Sequence, residues 1–449
     1  MKIRIAISAL FLPLTTLSQG QAVPTAETSI TSVGGSPIIP KLDGVLHYAL
    51  SGSEVVQFGY FGSGQVTAST ALSGDVAYSS TSTTRPFSLT FAGGVILPNQ
   101  QGQGVSSFWD VTASQGYIAR HWIFNVSDSF NFLPQSPTTG LSGIAGVGDV
   151  GSIPVQGPVE GPGGGIFSLA GNRYVNSLTG SVERQIRHDT SVSGSATWGV
   201  INFLDQNAST SGLNSTQISG TVAVNQRFDA RSSGSIDAVY STFTYSGTAI
   251  VNGLVQPDIE SRGLNASYQR LMTKSLSVAV SAGPQWVSSS NSTLIPSNLN
   301  FAASASLSYS RGLTNGAVNY SRGVNAGSGV LSGALSDSVY ASLDHTYGRK
   351  WVASLTAGYS HSSGLTQLAA GTPVQVNVSV PVNVTYDTFF GAAQVRRGFG
   401  PHLSGYASYT VQDQSNNFPP GAQNALNGTS HTIGVGVTFT PRSTRLGQF

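Results

Sequence analysis

The chain has 449 residues and a formal net charge of +2, with only 9% charged residues, 54 glycines and no cysteine. So few charges, against roughly 25% in ordinary soluble domains, and so little net charge exclude an electrostatic nucleic-acid binder. The missing cysteines exclude disulfides, thiolate metal sites and a lipidated N-terminal cysteine, which suits a chain exported through an oxidising compartment.

Residues 1–22 begin with Lys2 and Arg4, continue through an apolar run from Ile5 to Leu17 and end on Gly20-Gln21-Ala22, the pattern of a removable secretory signal. Pro13 and several threonines keep that run well short of the roughly 20 apolar residues a spanning helix needs. Removing Lys2 and Arg4 leaves 19 basic against 19 acidic residues. No later stretch is long and apolar enough to span as a helix, so a membrane protein made from this chain must cross with strands. Residues 23–44 are polar and punctuated by proline, and are expected to form a mobile periplasmic segment.

From residue 45 onward a two-residue period takes over. Leu46, Tyr48, Leu50, Val56 and Phe58 hold one face of a first run, and Val66, Ala68, Leu72, Val76 and Tyr78 that of a second. Phe87, Leu89, Phe91, Val95 and Leu97 mark a third, Trp109, Val111 and Ala113 a fourth, and Trp122, Phe124 and Val126 a fifth. The alternation then stops over 133–171, a Gly/Pro-rich stretch too apolar for a freely solvated linker. Ile144, Val147, Val150, Ile153 and Val155 make it a candidate constriction loop that folds into a pore, with a surface loop packed on its neighbours as the other reading.

Beyond Arg173 the runs come in hairpins. Leu264, Ala266 and Tyr268 alternate with Asn265, Ser267 and Gln269, a turn at Thr273-Lys274 reverses the chain, and Leu276, Val278 and Val280 return. Short reversals alternate with longer polar loops such as those near Asn207, Asn291 and Asn416, which are expected outside the cell. The polar face is small hydroxyls and the apolar face carries aromatics near its ends, the reverse of a soluble sandwich. Thirteen runs follow Arg173, and an odd number cannot return the chain to its starting side, so the five earlier runs belong to the same ring. The fold class is therefore all-β, a closed antiparallel transmembrane β-barrel of about 18 strands over 45–441, with 16 as the alternative if the pair of runs around Ser106 to Ala119, or the first two runs, merge. Residues 442–449 form a C-terminal tail.

The signal peptide, runs such as Gly180 to Arg187 and Leu403 to Thr410, and the last run, Thr432 to Thr440, resemble the porin-like β-barrels of Gram-negative outer membranes, some linked to polysaccharide export or secretion. The resemblance covers nearly the whole mature chain. It implies an outer-membrane location and the barrel-assembly machinery as a partner. The family's assembly signal is a final strand with a terminal aromatic, a role open to Phe439 or to Phe449.

Tyr268, Tyr309 and Tyr347 each precede an arginine by two residues, Arg270, Arg311 and Arg349, so ring and guanidinium share a face. An outward arginine costs roughly 2–4 kcal/mol at the bilayer midplane and about 0–1 near the interface, which places these pairs as periplasmic-rim anchors against lipid phosphate. On the opposite face Ser191, Ser193, Ser195 and Thr197, then Ser304, Ser306 and Ser308, then Ser354 and Thr356 are expected to line the pore with hydroxyls. Asp75, Glu183, Arg187, Arg227, Asp237 and Asp344 add scattered inward charges. Such a wall suits neutral polar solutes better than a charge-selective filter. Ser360-His361-Ser362 and Asp344-His345 put their members on opposite faces, so no nucleophile and base converge. No enzyme, metal or cofactor is expected. The function expected is passive passage of polar, largely uncharged solutes; a conduit for an exported polymer and a surface adhesin are the alternatives. Outer-membrane lipids are the expected partners, and a homo-oligomer is compatible with the sequence.

Overall fold

The computed structural model describes residues 44–59, 66–99, 105–133, 172–204, 214–246, 257–327, 333–348, 350–366, 384–417 and 427–446. The signal peptide, most of 23–44, nearly all of the loop 133–171 and Arg349 lie outside them.

Alternation becomes strand wherever one face is hydroxyl-rich and the other apolar. The first five strands are β1 (Gly44–Phe58), β2 (Val66–Ser80), β3 (Phe87–Pro98), β4 (Ser106–Ile118) and β5 (Trp122–Leu133). After the long loop come β6 (Arg173–Gln185), β7 (Thr190–Phe203), β8 (Asn214–Arg227), β9 (Ser232–Ser246), β10 (Ile259–Thr273), β11 (Leu276–Ser289) and β12 (Asn298–Arg311). The circuit is completed by β13 (Thr314–Asn325), β14 (Ala334–Tyr347), β15 (Trp351–Gly364), β16 (Thr385–Gly398), β17 (Leu403–Asn416) and β18 (Gly428–Phe439), with a short β19 (Thr444–Leu446). Each strand pairs antiparallel with the next, and β18 pairs back onto β1 from Leu50↔Phe439 to Phe58↔His431, closing an 18-strand ring.

The alternative of 16 strands fails at the β4–β5 turn. There Ala119 and Trp122 exchange backbone hydrogen bonds of 2.8 and 3.3 Å, and the chain reverses into a full partner strand. Within the expected tail at 442–449, Thr444–Leu446 forms the short strand β19. After Phe439 the register moves from Leu50↔Phe439 to Leu46↔Thr444, so four steps along β1 answer to five along the C-terminal chain. That extra residue is a β-bulge, beyond which β19 continues the line of β18 along the first residues of β1.

The two faces of the ring are unlike. Leu264, Tyr268, Val280 and Trp286 stand outward and 41–48% exposed, while Ser261 and Gln285 on the inner face are fully buried. Inner hydroxyls meet across strands, as in Ser235–Ser267 at 2.6 Å, Thr179–Thr197 at 3.0 Å and Ser336–Ser362 at 2.8 Å. With strands about 4.8 Å apart and tilted about 40°, eighteen of them enclose a cylinder of roughly 35 Å backbone diameter.

Candidate functional site: the lumen and its outer mouth

The inner wall is built from alternate residues of every strand. On β7 the inward set is Ser191, Ser193, Ser195 and Thr197, opposite the outward Trp198; on β12 it is Ser304, Ser306 and Ser308, opposite Leu307 and Tyr309; on β15 it is Ser354 and Thr356, opposite Leu355. The structure thus brings all nine to the enclosed face. Amides extend the same chemistry. Asn225 Nδ2 donates to Ser191 Oγ at 3.2 Å and Ser193 Oγ at 3.1 Å, and Gln394 and Gln412 are buried on the same side.

Two carboxylates on this wall, Asp237 and Asp110, are held by neutral donors. Asn265 Nδ2 donates to Asp237 at 2.9 Å, and Asn131 Nδ2 to Asp110 at 3.0 Å. Asp110 was missed by sequence reasoning, although its position between the outward Trp109 and Val111 would have placed it inward. Among the described residues no group of three His, Asp or Glu stands close enough to hold a metal. His361 turns outward, where Asp387 Oδ1 lies 2.8 Å from its Nδ1 and accepts the Tyr359 hydroxyl at 2.6 Å; Ser360 and Ser362 turn inward.

Outward at the short-turn end stand Tyr268, Tyr309 and Tyr347, with Arg270 and Arg311 exposed beside the first two. Phe228 stacks on Tyr268 at 6.4 Å, and Arg184 lies 5.1 Å from the Trp122 ring in the same band.

The inner wall changes character toward the long-loop end. Phe243 and Tyr245 of β9, Ile259 of β10 and Val287 of β11 face inward and are covered by Leu294 and Ile295 from the β11–β12 loop and by Val324 and Ala326 at the tip of β13. Paired strands fix this cap. Gln285 Nε2 donates to Ser261 Oγ at 2.8 Å, the Val324 N–H donates to Gln285 Oε1 at 3.0 Å, and the Tyr245 hydroxyl donates to the Ala326 carbonyl at 3.0 Å. Gly333, with φ of +72°, brings the chain so close that a Cβ there would meet Ile259 Cδ1 at 2.3 Å. The loop near Asn291, expected outside the cell, folds over the inner wall at the long-loop end. Its Ser-Asn-Ser-Thr start reads as a solvated loop, but Leu294-Ile295-Pro296 has apolar surface to bury, and the inward Phe243 and Val287 supply the partner.

A smaller inward cluster of Val55, Ala71, Ala92 and Phe108 stands on β1–β4, roughly half the ring away. The expected constriction residues Ile144, Val147, Val150, Ile153 and Val155 lie outside the described residues. Farther round, Tyr340 and Phe390 stack at 5.7 Å across Gly358, whose missing side chain is required because a Cβ would meet Phe390 at 2.1 Å.

A closed ring with an apolar outer belt, aromatic rims and a hydroxyl-lined interior defines an architecture, the closed antiparallel transmembrane β-barrel. No family model matches the chain, and no curated protein matches it. Among solved structures it is similar to OpdQ of Pseudomonas aeruginosa at 12% identity and a TM-score of 0.40, covering 89% of this chain and 99% of that one. It is also similar to the outer membrane protein OprD of the same organism, at 11% identity and a TM-score of 0.42, covering 92% and 98%. OpdO of Pseudomonas aeruginosa gives 10% identity and a TM-score of 0.42, covering 89% and 97%.

Proposed function

We propose that this protein is an outer-membrane channel for the passive passage of polar, largely uncharged solutes. The observation that carries the reading is the chemistry of the inner wall: serines, threonines, asparagines and glutamines, with Asp237 and Asp110 each hydrogen-bonded to an asparagine amide. Hydroxyls and amides both donate and accept, so they replace the hydration of a neutral solute without selecting a sign of charge. The apolar cap at the outer mouth narrows the path before the solute meets that wall.

Liposomes containing the purified barrel should swell in neutral sugars faster than in sulfonated or amino analogues of similar size. Planar-bilayer reversal potentials should show weak selectivity between anions and cations. A strong preference for one sign of charge, or the absence of any conductance, would overturn this reading.

A further inference from the structure

The outward face carries one feature that a uniform lipid-facing belt does not need. A groove of about 680 Å³ crosses the closing seam of the ring, from β15 to β2. Its floor is a single register row: Trp351 pairs with Arg397, Arg397 with Gly405, Gly405 with Val437, Val437 with Gly52, and Gly52 with Leu72. The two glycines leave the row without side chains at two of its six places. A second row one pair higher is walled by Val395, Ala407 and Val435 and ends at Glu54, whose carboxylate accepts the Thr70 hydroxyl at 2.6 Å.

Five strand spacings make this row roughly 24 Å long. Because strands tilt by about 40°, a row across them climbs roughly 15 Å, half the roughly 30 Å hydrocarbon core and the reach of one leaflet. It starts beside the short turn at 399–402 and rises toward mid-barrel. At its foot the Arg397 guanidinium lies 5.0 Å from the Trp351 ring and 5.6 Å from the Phe399 ring. Among the described residues no carboxylate pairs with it.

The geometry points to a phospholipid-binding site, with the lipid phosphate on Arg397 and one acyl chain lying in the trough over Gly405 and Gly52. Charge complementarity selects this occupant: a cation steered by two rings, at the level where the inner-leaflet headgroups lie, opens onto an apolar channel one leaflet deep. The polar Glu54–Thr70 pair closes the upper end and limits how far the chain runs. This site is independent of what the lumen conducts.

The test is native mass spectrometry of the purified full chain in detergent with added dioleoylphosphatidylglycerol. One lipid should remain bound per barrel at low collision energy. Arg397→Gln should weaken retention at least about tenfold through loss of a charge-assisted hydrogen bond. Gly52→Leu should weaken it comparably by filling the trough while leaving the arginine in place. A Cβ at Gly52 meets only Leu72 Cδ2 at 3.6 Å, an ordinary contact, so this variant remains informative if Arg397→Gln fails to fold. Retention by both variants equal to the parent, or no lipid retained by the parent, overturns the site. A dimer that dissociates in Gly52→Leu, with no lipid lost, assigns the groove to a second copy and overturns it equally.

Discussion

Gln285 shows how much one inward side chain does in a wall of small hydroxyls. It spans from Ser261 on β10 to the backbone of Val324 on β13, so it ties the inturned tip of β13 to a strand two places away. Gln285→Met keeps the volume but leaves the buried Val324 N–H without an acceptor, at a cost of about 1–3 kcal/mol. The variant should lose its compact electrophoretic form at a lower temperature than the parent; an unchanged midpoint would show that the tip is held by other contacts. Asp229, in the short turn between β8 and β9, does similar work outside the membrane. The Ser232 hydroxyl donates to it at 2.7 Å, and the N–H groups of Arg231 and Ser232 donate at 2.5 and 2.8 Å. These bonds, the Ser232 hydroxyl first, hold its carboxyl below the ordinary aspartate range. A depressed folded-state pKa means the stabilisation is complete above the unfolded value of about 3.9 and is lost as pH falls below it. Amide exchange at Arg231 and Ser232 should stay slow from neutrality to about pH 4 and accelerate only below that. Acceleration already at pH 6 would point to a different titrating group.

At the scale of elements, the β11–β12 loop covers part of the inner wall at the long-loop end. Leu294 and Ile295 are nearly fully buried, and truncating a buried Leu or Ile to Ala costs about 2–5 kcal/mol, more than the single hydrogen bond from the Ser289 hydroxyl to the Ile295 carbonyl contributes to holding the loop on the wall. The double substitution Leu294→Ala, Ile295→Ala should therefore raise single-channel conductance and its flicker while the barrel stays inserted; a conductance equal to the parent would show that this cap does not narrow the path. The strands are readable because a two-residue period with one greasy face has a single solution, as in Leu264 to Tyr268, and the parity of turns requires an even number, which leaves both 16 and 18 open. Loops have no such constraint. Leu294-Ile295 looked like a brief apolar patch in a solvated loop because its partners Phe243 and Ile259 lie on other strands, and alternation cannot say which inward residues will share a cluster. The bulge after Phe439 was hidden for the same reason: Thr440 to Ser443 breaks the period, and only the register against β1 shows the line resuming at Thr444. The groove at the seam depends on Gly405 and Gly52 falling into one lateral row, a coincidence of register between residues far apart in sequence.

For the whole molecule, closure is the property that matters. Each of the eighteen ring strands has two hydrogen-bonded neighbours, so detergent finds no open edge of the ring from which to unravel the sheet. The unheated protein should run faster on gels than the boiled one, and it should fractionate with outer membranes. Recovery as a soluble periplasmic protein with a single gel mobility would contradict the architecture. The seam between β18 and β1 adds a constraint in time. Ser51 and Thr438, joined there by a 3.0 Å hydrogen bond, are 387 residues apart in sequence, so the ring cannot shut until almost the last residue has been made. A nascent fragment of any length short of that is a curved ribbon with two raw edges and a greasy back, prone to stick to its neighbours. Such a chain must be kept apart from its own kind until the ring is completed in one late event. Truncations that remove only β18 and β19 should therefore accumulate as aggregates or be degraded, rather than persist as slightly smaller barrels.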